Sequence, residues 1–256
     1  MFRWCAYCQH LIGEAEPLGS YELTHGCCEP CQAEFPSFKI TPRVLEAKRL
    51  FGLLLKAGRS GDEGELDLFI AEAAGAGLRG SDILVGVMQP ALYEIGTLWE
   101  RGEITVALER RFSIFCQKVL ARFQAPPASV RAGGASILLA LSPDNRHDLG
   151  VRILERLALE KGVRCLVLPT GATASEIVSA AIREQPSLLG VSIAMTSSLT
   201  EIVTLRALLA AAVPGLRTAI GGGAMRHLAP NYFPDAVEAR RVDDFMAELA
   251  ALSSPA

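Results

Sequence analysis

An α/β fold, in which a parallel-sheet domain follows a four-helix bundle and a small metal-held module, is predicted by three observations. Five of the seven cysteines (Cys5, Cys8, Cys27, Cys28 and Cys31) lie in the first 31 of 256 residues. Apolar residues then recur at helical spacing over four consecutive segments. From Ala135 onward the period changes, and short apolar runs alternate with amphipathic stretches, the pattern of a parallel sheet wound with helices on both faces. The three parts are expected at residues 1–36, 41–127 and 134–253.

The amino-terminal cysteines form two Cys-x-x-Cys pairs, Cys5/Cys8 and Cys28/Cys31, with 19 residues between them. An odd, clustered count with no secretion signal speaks against a disulfide framework and suits four-thiolate zinc, each pair curling its sulfurs toward one side of a tight turn. A redox dithiol and simple reduced thiols are the rival readings. Cys27 is the spare thiol beside Cys28, able to exchange roles with it, and His25 is the weaker candidate for a fourth ligand. A segment this short buries too little to fold alone, so metal binding would supply its folding energy. Through Glu34, Arg3 is its only Arg or Lys against five glutamates, so a structural or protein-binding role is expected in place of a DNA grip.

Thr41-Pro42 reads as an N-cap with proline at the first helical position, opening a helix through Lys56 that Gly58, Ser60 and Gly61 end. A second helix is expected from Asp62 to Ala76, acidic in its first turn. Ser81 would cap a third, with Leu84, Met88, Ala91, Ile95 and Leu98 on one face and a kink at Pro90. Gly102 breaks it, and Thr105 caps a fourth that carries Phe112, Cys116, Val119 and Phe123. Ala125-Pro126-Pro127 is a linker. The whole reads as a helical bundle.

Beyond the linker, Ser136 to Leu141, Arg164 to Leu168, Leu188 to Ala194 and Arg217 to Ile220 read as strands. Leu149 to Glu160, Ala174 to Glu184, Leu199 to Ala212 and Val242 to Leu252 read as helices. Ligands of such sheets bind at the carboxyl ends of the strands, which directs attention to three loops. One holds His147, another begins near Ser192, and the third is Gly221-Gly222-Gly223. A lone loop histidine is ordinarily a solvated residue. The triple glycine lacks the Gly-x-Gly-x-x-Gly pattern of a dinucleotide site, so nucleotide binding is disfavoured.

His147-x-x-Gly150, followed by Ser192 and by Gly221-Gly222-Gly223, resembles the cobalamin-binding domain of methionine synthase, corrinoid proteins and cobalamin-dependent photoreceptors. The resemblance implies a Rossmann-like (flavodoxin-like) sheet, His147 beneath cobalt in place of the cofactor's own base, Ser192 on the displaced nucleotide tail, and glycines that let the tail run deep. Independently, Ile95-Gly96-x-Leu98-Trp99-x-x-Gly102-x-Ile104-x-Val106-x-x-Glu109 is similar to the helical cap of the light-sensing transcription regulators, which implies Trp99, Val106 and Glu109 over the upper cobalt face. Read from the bundle alone, Trp99 is a core tryptophan and Glu109 a solvated helix charge. The chain departs from the family at Asn145, where an acidic residue is usual, which removes a charge from the imidazole's partner, with Asp144 or Asp148 as substitutes. It departs again at Ala194, a smaller residue than the usual Leu, and at Glu100 and Arg110, where the photoreceptor cap can carry histidines. The amino-terminal motif also resembles a small cysteine motif appended to bacterial sensors.

The balance of 25 Lys+Arg against 28 Asp+Glu gives a net charge of −3, with no drive toward nucleic acid or anionic lipid. No apolar run approaches the roughly 18 residues of a membrane helix, so the chain is expected to be cytoplasmic. A substrate barrel of about 250 residues has no room here, and the acidic amino terminus is no helix-turn-helix. The resemblance therefore implies a sensor that is not itself an enzyme, using adenosylcobalamin and light, and signalling through a protein partner or homo-oligomer. The alternative is a corrinoid methyl carrier serving a separate methyltransferase. Relatives called photocobilins hold a bilin beside cobalamin and others hold haem; the sequence leaves biliverdin and haem open.

Overall fold

The computed structural model describes residues 1–34, 44–123, 134–143 and 145–253. The Thr41-Pro42 cap, the Ala125-Pro126-Pro127 linker and Asp144 lie outside them. The chain divides into two compact units, residues 1–124 and 125–256.

The first unit begins with three strands that the cysteine pattern does not announce, β1 (Phe2–Cys5), β2 (Leu11–Glu14) and β3 (Leu23–Gly26). They form a mixed sheet in the order β2-β1-β3, with β1 antiparallel to β2 and parallel to β3. A short helix, α1 (Glu29–Glu34), carries Cys31. Then come α2 (Val44–Ser60) and α3 (Glu63–Gly75), the latter capped by Asp62, whose carboxylate accepts from the Gly64 and Glu65 amides. Gly58 does not end α2. It lies inside the helix because a Cβ there would stand 2.5 Å from the Phe112 ring, so the glycine admits that ring between helices; Gly61, at φ +71°, supplies the stop.

The third expected helix is continuous from Gly80 to Glu100 but changes winding: α4 (Gly80–Ile83), a π-helical turn (Leu84–Met88), then α5 (Gln89–Glu100). Arg79 stands at its N-cap instead of Ser81 and makes no capping bond from its side chain. Pro90 has no N–H to offer the carbonyl four residues back, and the Gln89 amide instead reaches Leu84 O, widening the turn. Thr105 caps α6 (Val106–Arg122) by accepting from the Leu108 amide. Cys116 faces the bundle interior with Phe112, Phe115 and Val119, and burial pushes its thiol well above the ordinary range.

The second unit is a five-stranded, all-parallel sheet of β4 (Ser136–Leu141), β5 (Arg164–Val167), β6 (Leu188–Ser192), β7 (Thr218–Gly221) and β8 (Val237–Ala239). Its helices are α7 (Leu149–Glu160), α8 (Ala174–Glu184), α9 (Leu199–Ala212) and α10 (Val242–Ser253). The spatial order is β5-β4-β6-β7-β8, the flavodoxin-like arrangement, in which chain progression reverses between β4 and β6. Leu138, Leu189, Ile177, Ile202, Leu205 and Phe233 are buried in one core layer, each contributing roughly 1.5–3 kcal/mol. The fifth strand adds to the four expected from the sequence. It is only three residues long and has a glutamate at its centre, so no apolar run marks it. Among the described residues, no helix is long and apolar enough to cross a membrane.

Candidate functional site

The strand order reverses between β4 and β6, and the carboxyl ends of strands at such a reversal are where ligands of this kind of sheet bind; the loops that follow those strands carry the expected residues. The Ser192 carbonyl, at the end of β6, accepts from the Ser142 amide (2.9 Å) and from Asn145 Nδ2 (3.1 Å). The Asn145 amide donates to Ser142 O at 2.8 Å, closing a turn. Asn145 is thereby buried and its side-chain amide oriented: Nδ2 faces a carbonyl, and Oδ1 accepts from the His147 backbone N–H at 2.9 Å.

That orientation decides the imidazole. His147 Nδ1 lies 3.1 Å from the same Asn145 Oδ1, and an oxygen that only accepts requires Nδ1 to carry the hydrogen. That leaves Nε2 as the ring nitrogen open to a ligand, on a residue that is exposed to solvent. The loss of a carboxylate at position 145 does not remove the bond. A neutral amide makes it in place of a charged group, and of the two proposed substitutes Asp148 is turned to Arg152, at 3.7 Å.

The glycine loop meets this network from β7. Gly222 has φ +102°, and a Cβ on it would stand 2.4 Å from Ile193 O and 2.9 Å from both Ile193 N and Ser192 Oγ. A Cβ on Gly221 would come within 2.9 Å of Ala239 O, whereas on Gly223 the nearest atom would be Ala194 O at 3.4 Å. Gly150 is exposed, in the first turn of α7, and no atom lies within 4 Å of a Cβ placed there. Contacts inside the protein thus demand glycine at 222 and 221 but not at 150. Beside them the Ser142 hydroxyl, fully buried, has no hydrogen-bond partner among the described residues. Sequence reasoning missed Ser142; its place directly after β4, at the sheet's carboxyl edge, is the signal that could have found it.

The cap residues belong to the first unit. Trp99, half-buried, is in the last turn of α5, where the Gly102 amide reaches its carbonyl at 2.9 Å. Val106 opens α6 and is 62% exposed, a large value for valine, and Glu109 one turn on accepts from Ser113 Oγ at 2.8 Å. Glu100 is exposed beside Trp99.

A second centre lies at the amino terminus. The sulfurs of Cys5, Cys8, Cys28 and Cys31 all lie within 4.8 Å of one another, and Cys8 and Cys28 are 3.7 Å apart. Tetrahedral zinc with bonds near 2.3 Å separates its sulfurs by about 3.8 Å, so the donor set is compatible with zinc. Cys27 and His25 are outside the cluster. Cys27 Sγ instead donates to the Cys28 carbonyl. Burial of Cys5 opposes ionisation, but the Cys28 amide (3.5 Å), the Cys8 amide and the Tyr7 amide (3.4 Å), with the Cys28 thiol, together outweigh it and lower this thiol to about 6.

Residues 135–248 match a family described as B12 binding domain, and residues 51–124 match a second family with the same description. A curated relative, the HTH-type transcriptional repressor CarH of Myxococcus xanthus, is 28% identical over 142 residues; the match covers 55% of this chain but only 46% of the relative, so the chain spans under half of that protein's length. The monomethylamine corrinoid protein of Methanosarcina barkeri superposes with a TM-score of 0.67 at 17% identity, over 80% of this chain and 99% of its own. That likeness is one of fold.

Proposed function

We propose that this protein, which carries two B12 binding domains, is a sensory or regulatory cobalamin protein in which His147 Nε2 is the lower ligand of cobalt. Cobalamin binding itself follows from the two domain matches. The single observation that supports the ligand assignment is the imidazole whose Nδ1 is held by Asn145 Oδ1, leaving Nε2 open. One further feature at the strand ends fits a cofactor with a long polar tail: the buried Ser142 hydroxyl, which has no partner among the described residues. In this reading Ser192, Gly221, Gly222 and Gly223 line the tail's path, Gly150 leaves room above α7, and Trp99, Val106 and Glu109 serve the upper face. The cofactor, when bound, supplies a cobalt–carbon bond whose reactivity is its own; the protein supplies the imidazole, the loops at the strand ends and the cap residues. The amino-terminal thiols hold zinc.

His147→Ala should weaken cobalamin binding at least about tenfold and shift the absorption spectrum toward the form without a protein base. Asn145→Ala should cost about 10–100-fold in affinity by freeing the ring. An unchanged spectrum in His147→Ala removes His147 from the site.

The finer reading is a light sensor that uses adenosylcobalamin, supported by the cap residues and by similarity to a transcriptional repressor. Spectra of the adenosylcobalamin-loaded protein in the dark and after green light, with the oligomer size measured in both states, test it. Bleaching with a change in size supports the sensor. Methyl transfer to a partner enzyme without a light response makes the chain a corrinoid carrier instead, the reading that the corrinoid-protein fold favours. Extra bands would reveal a bilin or haem. Residues 41–130 contain no histidine, so the illuminated protein should lack a bis-imidazole spectrum, and Glu100→His should create one. A native bis-imidazole spectrum would show that a histidine from outside the bundle reaches the metal.

A further inference from the structure

The module that carries the four thiols packs on the rest of the first unit through β3 against α2, through Leu11 against Gly86, and through two aromatic side chains, Trp4 and Tyr21. Trp4 precedes Cys5 on β1 and is buried. Its ring packs against the π-helical turn so closely that a Cβ on Gly86 would stand 2.3 Å from Cζ2. A glycine inside a helix weakens it, and here the missing side chain is what admits the indole. Tyr21 precedes β3, which leads directly to Cys28. Its ring stacks on Tyr93 with centroids 5.5 Å apart, and its hydroxyl accepts from Thr97 Oγ1 at 3.2 Å. Gly86, Tyr93 and Thr97 lie on the continuous Gly80–Glu100 helix, and Trp99 is two residues past Thr97.

We infer that metal occupancy of the four-thiol centre sets the stability of the Gly80–Glu100 helix and with it the position of Trp99, so that the amino-terminal module is a metal-dependent clamp on that helix. The strand that carries Trp4 and the strand that follows Tyr21 are four residues each, too short to persist by themselves. Their ends are gathered at Cys5, Cys8, Cys28 and Cys31, where without metal the turns are held by a few backbone bonds, such as Ala6 N–H to Gly26 O at 2.9 Å, and by weak thiol contacts. Metal binding is therefore the folding energy of the segment that grips the helix. The grip falls on the π turn, where the regular hydrogen-bond ladder is already interrupted. The further consequence, that zinc loading changes cobalamin affinity, rests on the reading of Trp99 given above.

Hydrogen exchange of the full chain, zinc-loaded, chelated, and reloaded with zinc chloride, tests the clamp. Amides of residues 84–100 should exchange at least about tenfold faster after chelation and recover on reloading, while those of α6 keep their protection. Tyr21→Ala should loosen residues 89–100 with its zinc content unchanged. Unaltered exchange at 84–100 in the chelated chain overturns the inference. Equal loss across α2 and α6 also overturns it, because the metal would then be a global stabiliser. Titration with hydroxocobalamin forms a separate arm. Weaker binding to the chelated chain supports the link to the cofactor, and equal affinity in both states overturns that link. Absence of binding even to the zinc-loaded chain overturns the cobalamin reading and leaves the exchange result standing on its own.

Discussion

Gly222→Val is expected to abolish cobalamin binding and to lower the melting temperature at the same time. Two costs combine at this position. A β-branched residue is placed at φ +102°, and its Cβ is driven to 2.4 Å from Ile193 O, a backbone atom that itself accepts from the Ala224 amide and cannot move without breaking that bond. Strain of this kind costs roughly 2–4 kcal/mol, and any relief by shifting the β6 end displaces Ser192, on whose carbonyl Asn145 and Ser142 both hang. The damage would then reach the imidazole through Asn145 as well as the strand-end loops directly. Gly223→Ala is the comparison, since its Cβ would meet only Ala194 O at an ordinary 3.4 Å; it should fold with little change in Tm, so that any loss of affinity reports the cofactor's path alone. Thermal melts and cobalamin titrations of the two variants check this, and a Gly222→Val protein with native Tm would contradict the backbone geometry described.

Cys28→Ser is expected to reduce bound zinc from about one per chain to near none and to unfold residues 1–34. Four-thiolate sites contribute on the order of 10–16 kcal/mol of apparent binding energy at neutral pH, most of which a tripod of three thiols does not recover. Cys28 is also the residue whose amide points at Cys5 Sγ and whose sulfur lies 3.7 Å from Cys8 Sγ, so its loss removes a ligand and disorders two others. Cys27→Ser should retain the metal, because Cys27 Sγ is engaged with a carbonyl and stands outside the cluster. Metal analysis of protein purified without chelator, for both variants, decides between them; zinc retained in Cys28→Ser would make Cys27 the ligand.

Much of this molecule is legible in the order of its residues, for identifiable reasons. Cysteine spacing reports a metal centre because a tight turn constrains which residues can share one ion. The change from helical to alternating period reports the parallel sheet because both of its faces must be covered. What escaped notice is where tertiary contact overrides local pattern. Gly58 has the look of a stop, yet a phenylalanine from a helix some fifty residues away occupies its space. Val237–Ala239 makes a strand because β7 offers it a ladder, not because of its own composition. Pro90 announced a bend, but the response, a widened turn that receives Trp4, depends on a module about eighty residues earlier. At the strand ends, the exchange of a carboxylate for Asn145 reads in sequence as a lost charge; only the placement of both ends of its amide reveals that it still fixes the ring.

The two boundaries of the large sheet bear on how copies of this protein could associate. A sheet recruits a foreign strand through an open ladder of backbone amides and carbonyls, and here the outermost strands offer little of one: four residues in β5, beginning with an arginine, and three in β8. Short, charged borders of this kind discourage lateral growth. Self-association, whether triggered by a ligand or by light, would then be a matter of helix surfaces. On the outer side of α9, exposed Val203 and Leu208 accompany Ala207 and Ala211, with the exposed Glu201 two turns before Leu208. Assembly on such a surface would be governed by shape and apolar area instead of by backbone pairing, and it could be reversed without disturbing the strand ends that carry the site.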